Sequence, residues 1–428
     1  SSPRDRRRTD LKDGDLPDVA WRAVPPHHLR RHPRFEPLPG AVDGLLSLED
    51  VRRFPQSSWQ WEAVHAGRIT TSSAVAALGL CEAGPAAVLG VPPGMKGRHR
   101  AAEACRRCRA DPIATDLDGM REALLRGDGG GGGSEEERDA GEDGNVWRSN
   151  GGGHAFAADY LYAPSASELA ERKRAAERRF ASAEDDGVMA TRMRWGTTQE
   201  PTAVLTALNY LCRNAAVTIR EVGMCGAGLD LAPFAGERAP GAAALRLGST
   251  PDALICHADG ITEVLEVKNH CPFYFFHATS PRNRDSAGHQ YSLRRSRGHP
   301  FPPDAAPGHG AGGAYVPPIY VPQLMMEMLC VGPECQSAVL VRQTALDGAV
   351  LARVRRDDGW IREALHWLGR FVDEFVVTGL TPPENFFRGE RHDAFVARTL
   401  ELAEGAEAVG YVRHGDIQRG RSSPLFLD

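Results

Sequence analysis

The sequence predicts an α/β fold: a mixed central sheet flanked by helices, with long low-complexity insertions between its parts. Three observations carry that expectation. The run "ITEVLEVKN" (261–269) has the β-branched alternation of a half-buried strand, and "CHADG" joins it to "RLGSTPDALI" through an Asp-Gly turn signal. A second pair, "SAVLVRQTA" and "AVLARVRRD", flanks Asp347-Gly348 in the same way. Helical spacing appears in Val204, Leu205, Leu208 and Leu211, and again in Ile361, Leu365, Leu368, Phe371 and Phe375.

Taken in order, residues 1–55 read as an irregular lead-in rich in Pro and Arg. Within 56–80, "SSAVAALGL" reads as a short helix. From about 82 to 155 the chain reads as an insertion; its later part, "RGDGGGGGSEEERDAGEDGN", is a Gly run and an acidic block that cannot bury enough apolar surface to fold. A charged helix follows over "SASELAERKRAAERRFASAEDD", with Ser165 or Ser167 as its cap, and the core resumes near Met193. Pro201 suits a first helical turn, so the spacing predicts a helix beginning beside Glu200. A second insertion spans about 277–315 and is rich in Gly, Pro, His and Arg. "DGWIREALHWLGRFVDEFVVTG" predicts an amphipathic helix, and 401–428 reads as a C-terminal tail. One interrupted domain over 56–400 is therefore expected.

Composition sets the outer bounds. A chain of 428 residues with 42% hydrophobic and 25% charged residues can bury a sizeable core. The net charge of −5 gives no global sign of nucleic-acid binding, so any DNA affinity has to come from a local groove. Arg282, Arg284, Arg294, Arg295 and Arg297 are candidates for one, or simply a solvated basic loop. No apolar run is long enough to span a bilayer, so no membrane partner is expected and an intracellular protein is (nucleus, organelle and cytosol all open). The chain begins at Ser1, as a fragment or processed terminus would, and "SSPRDRRRTD" resembles neither a secretory signal nor an organellar transit peptide. Nine cysteines at irregular spacing read as reduced thiols. Cys105 and Cys108 form a lone CxxC that only Cys81 and His99 stand near enough to complete as a zinc site.

The chemistry concentrates in Pro251-Asp252 and Glu266-Val267-Lys268. Across a hairpin, Asp252 and Glu266 can point at one spot, and two convergent carboxylates make a hard-oxygen site suited to Mg²⁺ or Mn²⁺. Strand alternation puts Lys268 on the same face as Glu266, where an ammonium can orient water and offset phosphate charge. This is the PD-(D/E)XK nuclease signature, a short pattern that an ordinary hairpin with surface charges can also produce. Glu200 is a third candidate carboxylate, favoured by the helix dipole if a helix starts there, or a plain helix-start glutamate.

Three further segments surround this core. They are "WEAVHAGRITTSSAVAALG" (Trp61, Gly67, Ile69, Thr70, Ser72), "MRWGTTQEPTAVLTALNYL" (Trp195, Gly196, Glu200, Ala203) and "YVPQLMMEMLCVG" (Tyr320, Gln323, Met328). In this order the four motifs resemble the lambda-exonuclease/YqaJ-type viral recombinase family of the PD-(D/E)XK nuclease superfamily, over roughly 56–80 and 190–380. The resemblance implies a restriction-endonuclease-like core and Mg²⁺-dependent hydrolysis of DNA, 5′ to 3′ from a duplex end, in recombination or repair. It implies that Asp252, Glu266, Glu200 and the Val267 carbonyl hold one or two Mg²⁺ ions while Lys268 positions the attacking water. It implies that Ser72, Thr250 and Gln323 bind a terminal phosphate, for which hydroxyl and amide donors suit; read singly, Ser72 and Thr250 also suit helix or turn caps. A single-strand annealing partner and a homo-oligomer are implied by kinship alone.

The chain departs from the family pattern at two points. His65 stands where the family has its phosphate-binding arginine, four residues before Ile69; Arg68 is close by, but histidine lacks the bidentate guanidinium fork. Preference for a 5′-phosphorylated end is thereby left open. Pro322 directly precedes Gln323, which predicts a helix starting at that point. Two other readings stand beside the exonuclease: a structure-specific endonuclease of the same fold, and a non-catalytic DNA-binding protein on a nuclease scaffold.

Overall fold

The computed structural model describes residues 23–38, 48–56, 58–91, 99–109, 167, 185–231, 233–234, 245–271, 273–275, 291–293, 316–344 and 348–417. In chain order these form α1 (Pro26–Arg30), β1 (Phe35–Glu36), a 3₁₀ turn (Leu48–Arg53), α2 (Trp59–His65), β2 (Ile69–Thr70), α3 (Thr71–Ala77), α4 (Ala83–Val88) and α5 (His99–Cys108). Next come α6 (Asp185–Asn214), β3 (Val217–Arg220), β4 (Leu247–Gly248), β5 (Ala253–His257), β6 (Thr262–His270), β7 (Phe273–Phe275) and β8 (Tyr291–Leu293). The last elements are α7 (Val321–Val331), β9 (Cys335–Thr344), β10 (Gly348–Arg355), α8 (Asp358–Phe371), α9 (Glu390–Glu404) and β11 (Glu407–Arg413).

Seven strands make one mixed sheet in the order β1-β3-β5-β6-β9-β10-β11. Both expected hairpins lie inside it: β5 pairs antiparallel with β6, and β9 with β10. The two hairpins join through a parallel β6–β9 pair, which requires a long crossover. Helix α7 lies in that crossover and packs on both strands. Residues 263–267 of β6 are all buried, so the strand is covered on both faces rather than half-buried as its alternation suggested. Its even and odd positions feed different cores. Val264, Leu340 and Ala352 face α3, α7 and α8, whereas Leu265, Val267 and Val341 face α6, through Ala203, Leu205 and Leu208.

Several boundaries differ from the sequence expectation. The lead-in is not wholly irregular: α1 docks Leu29 in the second core, and β1 adds a strand to the sheet edge beside β3. The expected insertion at 82–155 begins too early, because α4 and α5 bury Ala86, Ala101, Ala104 and Cys105 in the first core. Its glycine-rich part, and nearly all of the charged helix after Ser165, lie outside the described residues. The same holds for most of 277–315, where β8 pairs with β7. The expected tail at 401–428 contains β11, which closes the far edge of the sheet against β10. Glu200 does not start a helix: α6 begins at Asp185 and runs through Pro201, so the helix-dipole argument for Glu200 does not apply.

Helix α7 is apolar apart from Gln323 and Glu327, and every residue in it except Gln323 is buried. Pro322 sits in its first turn, as its position predicts. Its last carbonyls are satisfied by two distant arginines: Arg356 Nη1 donates to Met328 O (2.9 Å) and Gly332 O (2.8 Å), and Arg52 Nη2 to Val331 O (2.6 Å). Helix α8 starts on the Asp357 cap, whose carboxylate accepts from Trp360 N at 2.7 Å. It continues as a π-helical turn (Val372–Val377) that buries Phe375. No helix among the described residues is long and apolar enough to cross a membrane.

Candidate active site

The β5–β6 register creates the site. Ala253 pairs with Leu265, which sets Asp252 beside the 266–267 peptide; Val267 N donates to Asp252 Oδ2 at 2.6 Å. Glu266 and Lys268, two apart on β6, share a face, and Lys268 Nζ donates to Glu266 Oε1 at 2.5 Å. Helix α7 approaches that face with its first turn. Gln323 Nε2 donates to Glu266 Oε1 (2.5 Å) and to Glu327 Oε1 (2.8 Å), and the Tyr320 ring centre lies 5.5 Å from Lys268 Nζ. Glu200 comes from α6, on the other side of the sheet, yet stands within the field of Glu266, Asp252 and Lys268.

The electrostatics follow from crowding carboxylates in a buried place. Burial, reinforced by the charges of Glu266 and Glu221, pushes Glu200 up to about 7 against the pull of Lys268. Burial and the neighbouring Glu266 and Glu200 drive Asp252 well above its ordinary value, opposed by Lys268 and the Val267 N–H. Burial also works against the Lys268 ammonium, but Glu266 and Asp252 outweigh it and hold the proton more tightly than in water.

Four carboxyl groups, those of Glu200, Asp252, Glu266 and Glu327, thus face one lysine. Oxygen donors with more negative charge than the local cation offsets are the donor set of a hard divalent ion. Glu327 Oε2, buried without a hydrogen-bond partner, is a further acceptor that such a charge would satisfy. Among the described residues no three His, Cys, Asp or Glu side chains already close on one point as a finished cage; Glu266 Oε1 is held by Lys268 and Gln323 instead. These hard oxygen donors are of the kind that Mg²⁺ or Mn²⁺ takes.

Apart from Gln323, which lies against Glu266, the residues expected to bind phosphate lie near β2 and β4, which pair in parallel and carry Thr70 and Gly248 side by side. Thr250 Oγ1 accepts from Trp61 Nε1 at 2.8 Å, and the Trp61 ring stacks on His65 at 4.2 Å. Ser72 is exposed at the start of α3 and shares a hydrogen bond of 3.0 Å with Thr70 Oγ1. The Thr70 N–H is met by Ser73, not by Ser72. Burial, with Arg107 and Arg68 nearby, pushes His65 down to about 4, so its imidazole is neutral at pH 7. Arg68 is buried and directs its guanidinium to Val64 O (2.6 Å) and Leu247 O (3.1 Å). Arg282, Arg284, Arg294, Arg295 and Arg297 lie outside the described residues. Cys105 is buried in α5, with its thiol raised by burial, and Cys108 is pushed up to about 12 for the same reason; the His99 side chain lies outside the described residues.

Three residues at the site carried no motif. Glu327 is the lone charged side chain of the apolar α7, and that isolation was its signal. Asn269 and Gln343 tie α6 to the sheet: Asn269 Nδ2 donates to Gly196 O (3.3 Å), Gln343 Nε2 to Asn269 Oδ1 (3.2 Å), and Thr206 Oγ1 to Gln343 Oε1 (3.3 Å). Polar residues in strand and helix interiors show such a ladder only once the fold has paired them.

No family model and no curated protein matches the chain. Among solved structures it is similar to an alkaline exonuclease from Laribacter hongkongensis, at 18% identity and a TM-score of 0.24, over 57% of this chain and 88% of that one. A likeness of that size carries no argument about function.

Proposed function

We propose that the chain is a metal-dependent deoxyribonuclease with a restriction-endonuclease-like core, acting as an exonuclease that runs 5′ to 3′ from duplex ends. The observation that carries this reading is the meeting of Asp252, Glu266 and Lys268 on one hairpin, with Gln323 bonded to Glu266 from a separate helix. Asp252, Glu266, Glu200 and the Val267 carbonyl would hold Mg²⁺ or Mn²⁺. Once bound, the ion supplies Lewis-acid stabilisation of charge on a phosphodiester. Lys268 Nζ, kept protonated by Glu266 and Asp252, donates to the attacking water and fixes its line of approach. Ser72 and Thr250 offer hydroxyl donors to phosphate oxygens, and the Trp61 bond fixes the Thr250 rotamer. Glu266 and Glu327 accept both amide N–H groups of Gln323, so Gln323 reaches phosphate only when Glu266 turns away from it.

A second reading, an endonuclease on the same core, is favoured by one observation. His65 is neutral at pH 7, and Arg68 is buried with its Nε and Nη1 given to backbone carbonyls, so neither residue presents an exposed cation to a terminal phosphate.

The test is digestion of linear duplex DNA labelled at either 5′ or 3′ end, with Mg²⁺ or EDTA, for wild type and Lys268→Ala. Ion-dependent loss of the 5′ label, abolished in the variant, is the expected result. Nicking of closed circular DNA would favour the endonuclease, and binding without cleavage under any divalent ion would leave only a DNA-binding scaffold.

A further inference from the structure

Glu327 stands one helical turn after Gln323, on the face of α7 turned to β6, and is 0% exposed. Its Oε1 accepts from Gln323 Nε2 at 2.8 Å, and its Oε2 is buried with no partner. In the structure the NH₂ end of Gln323 is turned to Glu327 and Glu266, one N–H to each. Glu327 thus fixes the rotamer and the sense of the amide that touches Glu266. Its neighbours Met325, Met326 and Met328 are equally buried. A methionine at 327 would fill similar space without the cost of an unsatisfied buried carboxyl. Packing alone gives no reason for this side chain, whereas a site that gathers positive charge does.

We propose that Glu327 is a positioning residue of the acidic site, holding the Gln323 amide against Glu266 and adding a fourth carboxylate to the field that attracts a divalent cation. The inference rests on reading Asp252, Glu266 and Glu200 as the cation's ligands. Glu327 acts through Gln323 and through its charge, and it does not touch the substrate. It also makes α7 part of the cation's surroundings, so that uptake of the ion and the seating of this helix on β6 depend on each other.

The test titrates Mn²⁺ into the full chain, following free Mn²⁺ by electron paramagnetic resonance, for wild type, Glu327→Gln and Arg391→Ala. Arg391 belongs to α9, where it pairs with Glu363 of α8 away from the site, and its variant serves as the control. Glu327→Gln keeps shape and removes charge; it is expected to weaken Mn²⁺ about 10-fold, as loss of a group supporting metal ligands does, with circular dichroism unchanged. Equal affinity in Glu327→Gln and wild type would overturn the role of Glu327 while leaving the cation site intact. No Mn²⁺ uptake by wild type would overturn the cation site itself, and the inference with it. Should Glu327→Gln fail to fold, Glu327→Asp keeps the charge but withdraws it from Gln323, and an unchanged affinity there likewise counts against the proposal.

Discussion

Glu263 and Glu266 lie three residues apart on β6 and are both buried, yet their surroundings are opposite. Glu263 accepts from Arg353 Nε (2.7 Å) and Nη2 (3.1 Å) and is bonded to Ser337 and His257. Burial would raise its carboxyl, but these partners win and hold it below its ordinary value of 4.5; its contribution to stability is present above that pH and lost only in acid. Glu200, among carboxylates, is the reverse case. With its pKa at about 7 in the fold and 4.5 as an ordinary value, it favours the folded state below 4.5 and loses that contribution as pH rises through 7. In the absence of divalent ions, thermal stability should therefore fall between about pH 5 and pH 8. Glu200→Gln should flatten that slope, and Mg²⁺ should offset it; melting curves across pH with and without the ion decide the matter. That Asp252, Glu266 and Lys268 would come together was legible from sequence, because a turn signal and a two-residue spacing are local facts. Glu327 was not, because its meaning lies in a contact with Gln323 and in the field of a strand some sixty residues away.

At the scale of elements, the helix that carries Gln323 and Glu327 is held at its far end by arginines from outside it. Arg356 reaches Met328 O, Gly332 O and Cys335 O with one nitrogen, and its side chain is almost wholly buried. Arg356→Met should cost about 3 kcal/mol by leaving buried carbonyls without donors, read as a lowered urea midpoint at unchanged m-value. Elements with a strong internal period, β5, β6, β9, β10 and α8, were readable in advance. The start of α6 was not: Pro201 is a statistical mark of a first turn, and here the helix carries it inside, without the N–H that residue would have donated. β1 has two residues and no pattern to read, and β11 contains Gly410, which looks like a breaker. In the fold it is a point of close approach: a Cβ there would lie 2.0 Å from the Tyr210 ring, whose hydroxyl donates to Val409 O.

For the whole molecule, the boundaries drawn from motifs are narrower than those drawn by packing. The motif-bearing span 56–400 omits α1, β1 and β11, and with them the Val24 N to Thr202 Oγ1 bond that anchors the N-terminal segment to α6. A chain cut to 56–400 should expose β3 and β10 as open edges and lose part of the second core. We expect it to elute as aggregate on size exclusion and to melt below the full chain. The sheet's centre was legible because hairpins are local, and its margins were not, because edge strands exist through pairing with a sheet already formed.

The carboxylates do not belong to one side of the molecule. Asp252 and Glu266 sit on the sheet, Gln323 and Glu327 descend from a helix over one face, and Glu200 arrives from the helix packed on the other. A cation held by Asp252, Glu266 and Glu200, as proposed, would tie the sheet to the helix on its far face, with Glu327 adding charge from the near one. Withdrawing it would not empty a pocket so much as let the layers slip past one another, and the molecule would register its metal as stiffness.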